Sequence, residues 1–162
     1  MPLTDIQVFE AFNSQMGRFK WGYRDCFNTI LALVKTLDDP VALEQAKVAL
    51  DPYLSLEHKA ALIKGVKKNP NLFELYKVDL FTQIERFIEV PITPGIITRK
   101  PGDILLLRGN AILINNAVIQ NTRRDGPLIA FVDLDHSLKA WSLLGLRKVS
   151  GGGTPISHWR LK

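Results

Sequence analysis

Cysteine occurs once in these 162 residues, at Cys26, and histidine three times, at His58, His136 and His158. A lone cysteine excludes an internal disulfide, and one thiol with three scattered imidazoles cannot assemble a Cys-rich zinc site. Cys26 is left as a small core residue, a nucleophile or a redox-sensitive thiol. Long apolar runs are also missing. Runs such as Ile104–Leu107 and Ala111–Ile114 fall far short of the ~20 residues that span a bilayer. Nor does a basic region followed by an apolar stretch open the chain, since Thr4–Phe19 mixes Asp5, Glu10, Asn13 and Arg18 among its hydrophobes. No signal peptide is expected, and synthesis in a reducing cytoplasm is. The run Gly151-Gly152-Gly153 lacks a following Lys-Ser/Thr and is no phosphate loop. No cofactor and no metal are expected.

What is present suits one globular domain. The 46% hydrophobic content is ordinary, and a chain of this size buries roughly two thirds of its unfolded surface without staples. The formal charge of +5 favours acidic partners. The cations come as small groups, Lys64/Lys67/Lys68, Arg99/Lys100, Arg123/Arg124 and Arg147/Lys148, with no aromatic-and-basic stripe marking a nucleic-acid groove. A solvated basic surface is expected, or one drawn to an anionic surface such as a cell wall, and no nucleic acid.

The first half reads as helices. Thr4-Asp-Ile-Gln7 has capping-box form, and Ile6, Phe9, Phe12 and Met16 follow at helical spacing, with Gly17 as the stop. Asp25 can cap a second helix whose apolar face is Phe27, Ile30, Leu31, Val34 and Leu37. Asp39-Pro40 begins a third. Ser55 can cap a fourth, Leu56 to about Val66, before a weaker helical stretch at Leu72–Leu80.

After Val90, prolines and glycines punctuate short apolar runs: Ile104–Leu107, Ala111–Ile114, Ala117–Ile119, Leu128–Val132 and Ala140–Leu144. Asn115-Asn116 suits a hairpin turn, and Asp125-Gly126-Pro127 marks another. Helices followed by an antiparallel meander predict an α+β domain over residues 1–149. Residues 150–162 are expected to form a flexible Gly-rich link and a terminal strand, at a sheet edge or docked on a neighbour.

The sharpest local feature is Trp21-Gly22-Tyr23-Arg24-Asp25-Cys26, where a helix opens at the cysteine. A thiolate in a first helical turn meets unpaired backbone N–H groups and the positive end of the macrodipole. A nearby backbone N–H can then form part of an oxyanion hole. The plainer alternative is a buried helix cysteine beneath a Trp/Tyr loop.

Trp21-Gly22, Asp25-Cys26, Asp39-Pro40, Tyr53, Leu62-Ile63-Lys64, Pro101-Gly102-Asp103-Ile104, Asp125-Gly126 and Ala140-Trp141 occur in that order. In this order and spacing the chain resembles the papain-like NlpC-type cysteine peptidases, most closely an offshoot found in tails of bacteriophages and gene-transfer agents. The resemblance implies a papain-like fold of helices packed on a small antiparallel sheet, Cys26 as nucleophile or relic, and Trp21, Tyr23 and Asp25 lining its site. In active members, the strand after Gly-Asp leads to a hairpin whose next strand begins with the catalytic histidine, and a polar residue on the following strand orients it. Those positions fall on Asn110 and on Gln120 or Asn121. A carboxamide cannot serve as general base. Of the imidazoles, His58 is expected to face solvent and His158 lies beyond the matched segment. His136, near Asp133 and Asp135, is expected in an exposed turn and is the substitute base if one exists. Asp103 is expected in a turn or capping role.

The resemblance implies an inactive structural or docking component of a phage or prophage tail, at the tip or baseplate. Its partners would be other tail or baseplate proteins and peptidoglycan, oligomerisation inside the assembly is compatible with it, and it would be made in the bacterial cytoplasm and carried in the virion. The alternative is an active cysteine endopeptidase or amidase that cuts peptidoglycan peptides during cell-wall penetration.

Overall fold

A computed structural model describes residues 3–20, 22–54, 80–92, 98–108, 113–114, 117–118, 128–142, 144–150 and 154–162. The expected helix from Leu56, the helical stretch at Leu72 and the turns at Asn115 and Asp125 lie largely outside these residues. Three helices precede the sheet: α1 (Asp5–Ser14), α2 (Cys26–Lys35) and α3 (Pro40–Leu54). Each begins where a short polar side chain supplies a cap. At α1 the Thr4 hydroxyl accepts the Gln7 N–H while the Gln7 side chain accepts the Thr4 N–H, a complete capping box. Asp25 caps α2, and the Asp39 carboxylate accepts the N–H groups of Val41 and Ala42 at the start of α3. The α1 helix stops at Ser14, with Gly17 two residues beyond its C-cap at a left-handed φ of 124°.

The strands are β1 (Phe87–Glu89), β2 (Ile104–Arg108), β3 (Leu113–Ile114), β4 (Ala117–Val118), β5 (Leu128–Val132), β6 (Leu138–Ser142), β7 (Gly145–Ser150) and β8 (Thr154–Leu161). They pair antiparallel in the order β1-β8-β2-β5-β6-β7-β3-β4. The fold is α+β, as the helix-then-strand pattern predicts.

Two expectations about the strands change. The sheet is not one meander, because β3 and β4 sit beyond β7 and leave β5 beside β2. The terminal segment is not an edge strand: β8 lies between β1 and β2, with Ile104 opposite Trp159 and Leu161 opposite Phe87. Its apolar residues Trp159 and Leu161 are buried there, which an edge position would not provide.

Side-chain alternation divides the sheet into two faces. Ile104, Leu106, Ile129, Phe131, Trp141, Trp159 and Leu161 share the main core with the apolar faces of the helices. Leu105, Leu107, Leu128, Ala130, Val132 and Ala140 form a second buried cluster on the opposite face. Edge-on ring contacts fasten the layers, with Phe12 of α1 on Phe131 at 6.2 Å between centroids and Phe19 on Trp141 at 6.1 Å. Gly102 marks where the chain turns into β2. A Cβ there would come within 2.8 Å of a Leu3 methyl and 3.0 Å of a Val8 methyl, and its φ is 89°.

Candidate functional site

The start of α2 is built as the local sequence predicts. Asp25 is fully buried, and one carboxylate oxygen accepts the Asn28 N–H at 2.8 Å and the Asn28 side-chain amide at 3.0 Å. Its other oxygen accepts the Gly22 N–H at 2.9 Å. One carboxylate therefore caps the helix and holds the preceding loop against it. That loop closes on itself, with Lys20 and Arg24 exchanging backbone hydrogen bonds of 3.0 and 2.8 Å. Tyr23 projects outward, and the Lys20 ammonium lies 4.6 Å from its ring centroid.

Cys26 is the first residue of α2, half-buried at the rim of the main core. The turn that carries it is pinned to the sheet through Thr29. The Thr29 hydroxyl donates to the Asp25 carbonyl at 2.8 Å and accepts the Trp141 indole N–H at 2.8 Å. Trp141 stands on β6. It is buried, and in addition it fixes the position of α2 on β6. Nothing local signals this bond, which joins residues 112 apart.

The two described imidazoles go elsewhere. His136 sits in the exposed turn between β5 and β6 at φ 65°, where its N–H donates to the Asp133 carbonyl. Between that turn and Trp141, β6 rises roughly 10 Å, three residues at strand spacing. His158 is buried on β8, opposite Leu105 in register. Paired residues share a face, so His158 lies on the side of the sheet turned away from α2.

There the structure contains a second polar cluster that the sequence did not reveal. Asp103 is buried and accepts His158 Nε2 at 2.6 Å and Arg160 Nε and Nη2 at 2.8 Å each. It also accepts the Lys100 N–H at 2.9 Å, which is the turn role expected for it. Burial pushes the Asp103 carboxyl up, but the hydrogen bonds from Arg160, His158 and Lys100 outweigh this and hold it below the ordinary carboxylate value. Donating to Asp103 in turn raises the Arg160 guanidinium. The available signal was weak: His158 and Arg160 stand two apart, which places them on one face of a strand.

The structure brings Tyr23, Asp25 and Cys26 together at the α2 start and sets His136 apart. Trp21, His58, Asn110, Gln120 and Asn121 lie outside the described residues. No group of three or more His, Cys, Asp or Glu side chains able to hold a metal ion occurs among the described residues. No helix among them is long and apolar enough to cross a membrane. Comparison of the chain with known protein families, curated proteins and solved structures found no match.

Proposed function

We propose that this chain is a structural or docking component of a bacteriophage or prophage tail, at the tip or baseplate, on an inactive papain-like, NlpC-type scaffold. Support for the scaffold is the half-buried Cys26 at the start of a capped helix, packed on an antiparallel sheet whose strand β2 follows Gly102-Asp103. The resemblance alone supplies the tail setting.

One observation carries the loss of chemistry: the described imidazoles are placed away from the thiol. His158 is committed to Asp103 on the opposite sheet face, and His136 occupies a solvent-exposed turn. In the active relatives the base opens the strand that follows the Gly-Asp strand. Counted along the sequence, that position is Asn110. Counted through space, the neighbour of β2 on that side is β5, which opens with Leu128 and Ile129. Neither an amide nor an aliphatic side chain relays the proton of a thiol.

The test is incubation of the purified chain with peptidoglycan and with isolated stem peptides, beside Cys26→Ala. The expected result is no Cys26-dependent cleavage. Turnover that disappears in Cys26→Ala would establish the alternative, an active cysteine hydrolase with its base at an unforeseen position. Replacing Asn110 with His, and separately Ile129 with His, asks which strand faces the thiol, since Ile129 is the first β5 residue on the face that carries α2. A rise in the iodoacetamide alkylation rate near neutral pH in either variant marks a disarmed enzyme.

A further inference from the structure

The α1 helix is apolar on two sides. Val8 and Ala11 face the core, as its anchoring requires. A second stripe, Ile6, Phe9 and Asn13, runs along the outside with spacings of three and four, and Met16 follows just past the C-cap Gln15. Ile6 is 70% exposed, Phe9 57% and Met16 73%. Large apolar side chains left in water in a row mark an interaction surface more often than chance. The spacing is that of the a and d positions of a helix–helix seam, with asparagine at one a position.

Beside this stripe lies a groove of about 510 Å³. Phe9, Phe12 and Met16 form one wall, and the β6–β7 turn with Leu144, itself 47% exposed, forms the other. The rim on the β7 side is basic. Arg147 and Lys148 are exposed, and Lys148 stands opposite Lys139 across the β6–β7 pair. Asp133, the carboxylate lining the groove, is 3.4 Å from the Lys139 ammonium and is thereby used. An occupant should therefore present apolar side chains at helical spacing with carboxylates beside them.

The chain contains such a segment, α1 itself. From Leu3 to Gly17 its charged residues are Asp5 and Glu10, with no lysine or arginine before Arg18. In helical projection these acids fall one on each flank of the exposed stripe. We infer that the groove receives α1 of a second copy. The result is a two-fold dimer in which each α1 packs on the other's α1 and its acids meet the other's Arg147/Lys148 rim. The contact is isologous, so each element is used twice and the assembly closes. The inference is independent of the tail assignment.

Sedimentation equilibrium and light scattering on the whole chain test it. The wild type should be a dimer, and Phe9→Glu or Met16→Glu should weaken it by about 30-fold or more, as for a buried anchor at an interface centre. Both residues are exposed in the single chain, so circular dichroism should show the folded monomer intact. A charge exchange gives a positive readout. Asp5→Lys/Glu10→Lys and Arg147→Glu/Lys148→Glu should each be monomeric alone. Mixed, they should form a heterodimer, since the substituted α1 then meets the substituted rim with signs reversed while the unsubstituted α1 and rim pair as in the wild type. A wild type that stays monomeric up to ~1 mM would overturn the inference, as would a dimer indifferent to Phe9→Glu. A monomer that gains mass only with a different protein on this stripe would overturn it equally and assign the groove to that partner.

Discussion

A carboxylate with almost no contact with water must be surrounded by donors, and Asp103 is surrounded by four. The guanidinium of Arg160 supplies two in a fork, His158 a third and the Lys100 backbone a fourth. Because the carboxyl is held ionised, it accepts only, so the His158 nitrogen facing it carries the hydrogen. Replacing the carboxylate by an amide removes the charge and turns one of the two acceptor oxygens into a donor facing Arg160 or His158, and breaking such a buried pair costs about 3–5 kcal/mol. Asp103→Asn should therefore lower the urea-unfolding free energy by that order at pH 7.

The pH dependence has a definite sign. A carboxyl depressed in the folded state contributes stability that is fully present above its unfolded value, about 4. That contribution is lost as pH falls through the lower folded value. The gap between wild type and Asp103→Asn should therefore close as unfolding is repeated from pH 5 down to pH 2. A gap that stays constant across that range would show that Asp103 contributes through shape rather than charge.

At the scale of elements, α2 shows how one residue governs both a helix and its loop. The buried Asp25 carboxylate satisfies the Asn28 and Gly22 N–H groups together. An ordinary cap is worth ~1 kcal/mol, and burial adds the cost of the orphaned donors. Asp25→Ala should lose about 2–3 kcal/mol in chemical denaturation, and Cys26 alkylation should accelerate as the loop before it loosens. Asp25→Asn, which keeps an acceptor oxygen, should recover part of the stability. The β6–β7 turn offers a separate check. A Cβ at Gly145 would lie 2.8 Å from the Gly17 carbonyl oxygen, at φ 135°. Gly145→Ala should cost about 1–3 kcal/mol and separate the two walls of the α1 groove.

These elements also show what the sequence discloses. The helix starts at Thr4, Asp25 and Pro40 were legible because a cap and its recipient stand three residues or fewer apart. The strands β2, β5 and β6 were legible as apolar runs. Strand order was not, since β3–β4 follows β2 in the chain yet pairs with β7. The placement of β8 was hidden for the same reason: its partner β2 lies some fifty residues earlier. At the candidate site, the cap beside Cys26 was legible, whereas the Trp141–Thr29 bond and the Asp103 cluster depend on contacts across 112, 55 and 57 residues. Local rules fix what a segment becomes, and long-range burial decides what stands next to it.

For the whole molecule, the consequence is that the end of the chain belongs to its centre. Without β8, the strand β1 has no partner among the described residues, and β2 is exposed along the edge it shares with β8. The main core loses Trp159, which stacks on Phe81 at 5.3 Å between centroids, and Leu161. Asp103 simultaneously loses His158 and Arg160, leaving a buried charge with only the Lys100 N–H. Burial of two such apolar side chains is worth about 1.5–3 kcal/mol each, and the unpaired charge costs several more. Their sum is comparable to the ~5–15 kcal/mol that holds a domain together. A chain ending at Ser150 should therefore show no cooperative thermal transition by circular dichroism and no dispersed amide spectrum. A detachable C-terminal tail would behave in the opposite way, leaving residues 1–150 with the melting temperature of the full chain. Supplying residues 151–162 as a separate peptide sharpens the distinction, because an inner strand should restore the transition in proportion to peptide concentration.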